Sequence, residues 1–440
     1  MAIGYLHGVY TREIPTAILP ARTVDTNVVF AVGTAPVDSL PDDKPRYINT
    51  PRLYHSYDAF VSEMGWSEDW DAYTLCEVAE SHFAKYGAAP LVAVNVFDPE
   101  VHVIRGENTG AASADGGEPT AEDTPESDGR VPVAAEDIIG GINPNTLKKT
   151  GLELVSECFP RFRLVPGSIL APRFSTDPAV ALSMAAKAKN INGLFNALAL
   201  ADVPTDEVPL YTNVPGHKER NNLTDEHLVL CWPGIALGER RYHLSTQLAG
   251  RISLTDSDAG GTPQVSPSNK RAFMDRAVTV DADGKESEVW LDLTANNYLN
   301  GEGVVTVNNF DGGWKFWGNR TACYPSITDP KDAFIPIRRF FNWYQNTFIL
   351  TYFQKVDAPL TRRLITTFLK SEQLRLDGLT AREVINGGRI SFLEDENPVT
   401  DLMDGLLRFH LWICPPPPAR AIEGIFEFDP TYLQTLFGED

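Results

Sequence analysis

Few side chains in this sequence are spaced for bond chemistry. There is no Gly-x-Ser-x-Gly nucleophile turn, no Gly-x-x-x-x-Gly-Lys-Ser/Thr phosphate loop, no His-Glu-x-x-His and no Gly-x-Gly-x-x-Gly after a strand. His217 and His227 stand near Glu219, Asp225 and Glu226, donors a metal could use, but the stretch reads as a polar loop. Glu394-Asp395-Glu396 offers carboxylates to a cation and reads as a solvated turn. Asn222-Leu223-Thr224 and Asn319-Arg320-Thr321 fit the glycosylation pattern, which acts only in a secreted chain. The positive signal is a basic helix side, Arg362, Arg363, Lys370 and Arg375. Such a face suits charge-complementary docking rather than catalysis. No catalytic, cofactor-binding or metal-binding residue is expected.

The elements that carry those residues must come from a chain of 440 residues with a net charge of −21, long enough for two or three domains. That charge argues against a nucleic-acid binder, which needs a basic face to displace counterions. No run of about 18 apolar residues is present, so no membrane span is expected. No secretory signal is visible at Met1-Ala2-Ile3-Gly4-Tyr5, and Cys76, Cys158, Cys231, Cys323 and Cys414 are far apart. They read as reduced, mostly buried thiols.

Periodicity gives an α/β core. Val24 to Gly33 reads as a strand, 67–86 as a helix stopped by Gly87, and Leu91 to Phe97 as a second buried strand. Leu152 to Pro160 reads as a helix and Ser168 to Pro172 as a strand. Thr176-Asp177-Pro178 opens a helix with a cap and an N1 proline, followed by a strand at Leu194 to Leu200 and another at Asp225 to Trp232. Residues 254–270 read as loop, and Thr361 to Leu376 as a helix stopped by Gly378. The aromatic run after Ile335 reads as core, because the chain around it is not basic. Val399 to Cys414 reads as a last strand-like run. Residues 106–130 hold seven acidic residues, one basic residue and no aromatic, and read as an exposed insertion that can extend to about 137.

Both ends are extended. Residues 1–22 hold a short run around Val9, Tyr10, Arg12 and Ile14 and are broken by Pro15 and Pro20. At the other end, Pro415 to Pro418 form a stiff spacer before a strand-like segment. There Ile422, Phe426 and Phe428 fall on one side and Glu423, Glu427 and Asp429 on the other, with Ile425 out of step. A terminal strand needs a partner for its backbone groups, in its own chain or in another.

Gly8-Val9-Tyr10 with Glu13-Ile14-Pro15, and the strand ending Val32-Gly33-Thr34-Ala35-Pro36, resemble the start of contractile phage tail sheath proteins. Trp317-Gly318-Asn319-Arg320-Thr321, Ile335-Pro336-Ile337-Arg338-Arg339-Phe340 and the prolines before the terminal strand are similar to later segments of that family, in the same order. Arg420 departs from an acidic residue that the family often has near the arm, and the insertion lies outside the common core. The resemblance implies an α/β, subtilisin-like central sheath domain (23–329) without a hydrolase's residues. It implies a smaller α+β C-terminal domain (330–415) and linking arms at 1–22 and 416–440. It also implies a structural subunit of stacked hexameric rings around an inner tail tube, contracting to drive the tube through a host envelope for genome delivery. The implied partners are other copies through the arms, the inner tail tube protein, and baseplate and tail terminator proteins. No direct nucleic acid or membrane contact is implied. The setting would be a virion tail assembled in host cytoplasm, or a phage-tail-like bacteriocin or injection machine. A degenerate α/β hydrolase and another virion component are the rival readings.

Overall fold

The computed structural model describes residues 19–103, 130–281 and 283–437. The strands, in chain order, are β1 Val29–Gly33, β2 Arg52–Tyr54, β3 Leu91–Asn95, β4 His102–Val103, β5 Val131–Pro132, β6 Ser168–Leu170, β7 Leu198–Asp202 and β8 Leu228–Cys231. They continue with β9 Gly234–Leu237, β10 Arg240–Tyr242, β11 Arg276–Val280, β12 Glu286–Glu288, β13 Val304–Asn308, β14 Lys315–Trp317, β15 Gly387–Ser391 and β16 His410–Cys414. Eight of them form one sheet, ordered β14-β13-β8-β7-β6-β1-β3-β2. Its six inner strands run parallel, and β2 and β14 close the edges antiparallel.

The strand interiors are apolar on both faces because both faces are covered. Phe30, Val32, Val92 and Val94 enter one core, and their neighbours Val29, Ala31, Leu91 and Ala93 the other. The helix Pro178–Lys189 lies on the first side and the helix Leu244–Asp258 on the second. Two C-terminal helices, Ile335–Tyr352 and Arg362–Ala381, extend the first core with Phe340, Trp343, Tyr344, Leu376 and Leu379. A four-stranded antiparallel sheet, β10-β9-β11-β12, flanks the main one, and β15 pairs with β16 alone.

The expected β-α-β unit is present: β1 and β3 pair parallel in full register, Val29 with Leu91 through Gly33 with Asn95. The intervening helix is shorter than expected, Thr74–Ala79 followed by a wider turn over Glu80–Lys85. The cap at Asp177 is as expected, its carboxylate accepting from Ala179 N at 2.8 Å ahead of Pro178. Residues 151–157 form a 3-10 turn before the short helix Cys158–Phe162.

Four readings change. Residues 254–258 are the last turn of a helix, not loop, because Asp256 is fully buried against Arg339. Gly378 does not stop its helix, which runs to Ala381, since a lone glycine costs only about 1 kcal/mol there. The run 399–414 splits into the helix Val399–Met403 and β16. Residues 131–139 belong to the folded body: β5 pairs with β4, and the helix Ala135–Ile139 buries Ile138.

Candidate assembly surfaces

The crevice where an α/β fold binds small ligands lies at the C-terminal ends of the parallel strands. Here it is a cleft of about 720 Å³ lined by Asp202, His243 and Glu77 among others. The groups that could form a hydrolytic relay are paired otherwise. Ser245 donates its hydroxyl directly to Asp202, while His243 bonds Glu77 through Nδ1 at 2.8 Å and its own backbone N–H at 2.7 Å. Burial pulls the His243 pKa down, but the Glu77 carboxylate outweighs it and raises the value to about 9. An imidazolium held by a carboxylate is an ion pair, not a free base. Near the candidate metal ligands, Lys189 takes Glu226 at 2.6 Å, and His227 Nδ1 faces Ala197 O at 2.9 Å. Among the described residues no group of three His, Cys, Asp or Glu side chains could hold a metal ion.

The C-terminal helices hold the other candidates. Thr361 caps the second helix, its Oγ1 accepting from Leu364 N at 3.2 Å. Arg362, Arg363 and Lys370 are exposed on it. They adjoin a connecting loop that leaves Phe353, Val356 and Leu360 in solvent. Arg375 does not share that face, and its placement among docking residues is corrected. Its side chain is 10% exposed, pairs with Glu372 at 3.1 Å and lies over the Tyr344 ring at 4.2 Å. Glu372 also accepts from Tyr344 Oη and, at 2.7 Å, from Tyr352 Oη. Burial, and then the Glu372 charge, pushes both tyrosines well above the usual phenol range. Helical spacing alone could not separate Arg375 from the exposed bases. The nearby Glu372, and tyrosines on the preceding helix, were the only signal.

Residues 19–24 bond to the same helices. Leu19 N donates to Ser371 Oγ at 3.0 Å, Arg22 N to Thr351 Oγ1 at 3.0 Å and Val24 N to Thr347 Oγ1 at 3.3 Å. The expected arm residues Val9, Tyr10, Arg12 and Ile14 lie outside the described residues. At the other end, residues 415–429 form no strand with any described residue. Ile422, Phe426 and Phe428 are 91%, 96% and 77% exposed. An apolar segment this bare has no covering surface among the described residues.

A strand edge that no described residue pairs with stands nearby. In the antiparallel β15–β16 pair, Gly388 lies opposite Ile413 and Ile390 opposite Leu411. Gly388 O and Ile390 N turn away from β16 to the side chain of Gln373. By the alternation of such ladders, Ile413 and Leu411 turn their own backbone groups away from β15. Beside that outer edge runs an apolar groove of about 440 Å³, lined by Leu194, Phe341, Phe348, Ile349, Leu411 and Ile413.

Among the described residues, a mixed α/β body thus bears a two-stranded sheet with one unpaired edge and an exposed apolar tail. No protein-family model matches the chain. It is 25% identical, across 508 aligned positions covering 100% of both chains, to the tail sheath protein of the Burkholderia phage BcepMu. It is 28% identical over 310 positions, 68% of this chain and 72% of the relative, to a protein named as a prophage major tail sheath protein in Pseudomonas aeruginosa. The fold is that of the sheath of an extracellular contractile injection system in its contracted state, with a TM-score of 0.64 at 14% identity, covering 98% and 100% of the two chains. The anti-feeding prophage baseplate in its contracted state gives 0.64 over 96% of this chain and 99% of that one, also at 14% identity. A sheath tail protein from Desulfitobacterium hafniense gives 0.50 at 12% identity, over 88% and 94%. Over its whole length the chain is similar to a phage tail sheath protein, and its fold is that of solved sheath proteins.

Proposed function

We propose that the protein is the structural subunit of a contractile tail sheath. It surrounds an inner tail tube and contracts to drive that tube through a host cell envelope for genome delivery. The observation that carries this reading is the pairing, in one chain, of a free β16 edge over an apolar groove with an exposed apolar tail. Strand addition satisfies the backbone groups of both partners and lets alternate side chains fill the groove. The occupant is residues 421–429 of a second copy, with Ile422, Phe426 and Phe428 as anchors and Arg420 at the root. Val9, Tyr10, Arg12 and Ile14 supply the second linking strand.

A body covered on both faces of its sheet moves as a unit, so contraction is a change between two packings of rigid bodies joined by arms. Head-to-tail contacts that do not close along the axis give helical stacking of hexameric rings. In this reading the body is a subtilisin-like sheath domain, 23–329, whose role is structural rather than enzymatic. The C-terminal domain, 330–415, carries the links. Arg362, Arg363 and Lys370 face the inner tube protein, while baseplate and terminator proteins hold the ends. Assembly takes place in host cytoplasm, and the product is part of a virion tail. The whole-length phage relative favours genome delivery. The fold of injection-system sheaths supports the second reading, a phage-tail-like particle.

Negative-stain electron microscopy of the purified full chain tests this. Wide, hollow, cross-striated tubes are expected; a chain that stays a monomer at high concentration, with and without its tube protein, contradicts it.

A further inference from the structure

The small C-terminal sheet has two outer edges, and they differ. The β16 edge pairs with no other strand among the described residues, and Leu411 and Ile413 of β16 line the apolar groove. The β15 edge is occupied by one side chain of its own subunit. Gln373 Nε2 donates to Gly388 O at 3.2 Å, and Gln373 Oε1 accepts from Ile390 N at 3.3 Å. One primary amide thus takes two of the bonds that an added strand would make there, at Gly388 O and Ile390 N, with a donor and an acceptor in the required order.

The amide is held in place. Asp377, one turn further along the helix, accepts from the same Nε2 at 2.8 Å. That bond fixes which end of the amide is nitrogen and presents the oxygen to Ile390. The helix can come this close because of Gly388: a Cβ there would stand 2.8 Å from Leu376 Cδ2, and Leu376 is fully buried. Sequence, helix approach and side-chain length combine to close one edge, a device by which sheet proteins restrict unwanted pairing.

We propose that Gln373 is an edge guard, so that strands from other copies enter this sheet only at β16. The inference rests on the strand-exchange reading above and adds a direction to it. The added strand stands next to β16, and any further strand stands outside that one, never next to β15. The guard also keeps free subunits from pairing through β15 before the ordered links form.

Hydrogen exchange of the full-length protein, read on peptides covering 387–391 and 410–414, tests the guard in two settings. In the free subunit, Gln373→Leu keeps the side chain's bulk and removes the amide. Exchange at 387–391 is expected to speed by about ten-fold, while the core strand 91–95 is unchanged. Gln373→Glu, which keeps an acceptor for Ile390 but loses the donor for Gly388, is expected to fall between. Unchanged exchange at 387–391 in Gln373→Leu overturns the guard whether or not tubes form. In wild-type tubes, 410–414 is expected to gain protection relative to free subunits while 387–391 does not. New protection at 387–391, or none at 410–414, overturns it. Failure to form tubes at all contradicts the sheath reading and leaves the free-subunit result to judge the guard.

Discussion

Arg339 and Asp256 form a bidentate ion pair in which the two side chains are 4% and 0% exposed. Asp256 closes a helix on one face of the main sheet, and Arg339 belongs to the helix that covers the other. The pair therefore locks the C-terminal helices, and residues 19–24 bonded to them, to the body. Removing one partner leaves the other charged and buried. Arg339→Leu or Asp256→Ala is expected to cost about 3–5 kcal/mol, read as a lowered denaturant midpoint of the free subunit. Replacing both with apolar residues is expected to recover part of the loss.

The basic residues of the second C-terminal helix divide into two groups. Arg375→Ala removes a buried partner of Glu372 and a cover for Tyr344, and is expected to destabilise the subunit by about 2 kcal/mol. Arg362→Glu with Arg363→Glu touches exposed side chains, so the melting temperature should stay within about 1 °C. The same pair should weaken assembly around the tube protein, and more so at low salt. Co-sedimentation with tubes at two ionic strengths separates these effects. A stable Arg375→Ala, or charge-reversed subunits that sheathe tubes normally, would contradict the division.

His82 gives a stability dependence on acid. Burial lowers its pKa to about 4 against a weaker opposing bond that the ring donates to the Pro90 carbonyl, and its Nε2 has no hydrogen-bond partner among the described residues. The unfolded chain takes a proton near 6.5, and the folded chain does so only near 4. The unfolded state therefore binds more protons in that window, and stability falls as pH drops through it. The difference between wild type and His82→Leu should shift by about 3 kcal/mol between pH 7 and pH 4. Urea titrations of both proteins at the two pH values measure it; a constant difference would contradict the buried neutral imidazole.

The parallel core was legible because its strands are continuous apolar runs, as in Leu91 to Val94, and its caps are local, as at Asp177. The misreadings come from long-range pairings that spacing does not encode. Asp256 looked like loop because a carboxylate beside glycines is usually solvated, and Arg339 lies 83 residues away. Arg375 looked exposed because its helix is amphipathic, yet the tyrosines that hold Glu372 are on another helix. Gln373 carried no signal, since a glutamine on a helix closes a strand edge only when the strand is brought beside it. The closing segment was readable as an apolar stripe, Ile422, Phe426 and Phe428, without a fixed partner. In the structure that stripe stays bare and the partner edge stands open in the same subunit, which points to exchange between copies.

Because the anchors are bare in the free subunit, Phe426→Asp should leave its melting temperature unchanged within about 1 °C. Each lost aromatic anchor removes about 2 kcal/mol of contact per link, roughly a thirty-fold rise in the concentration needed for assembly. Light scattering against concentration measures this. Phe341→Ser, on the groove side, should act in the same direction but also lower stability slightly.

The claim at the centre is that the C-terminal arm links subunits by leaving its own. The most direct test deletes residues 421–440 and compares the protein with the full chain by melting temperature and by electron microscopy. The account predicts a subunit as stable as the full chain that forms no tubes. Normally striated tubes from the shortened chain would contradict it.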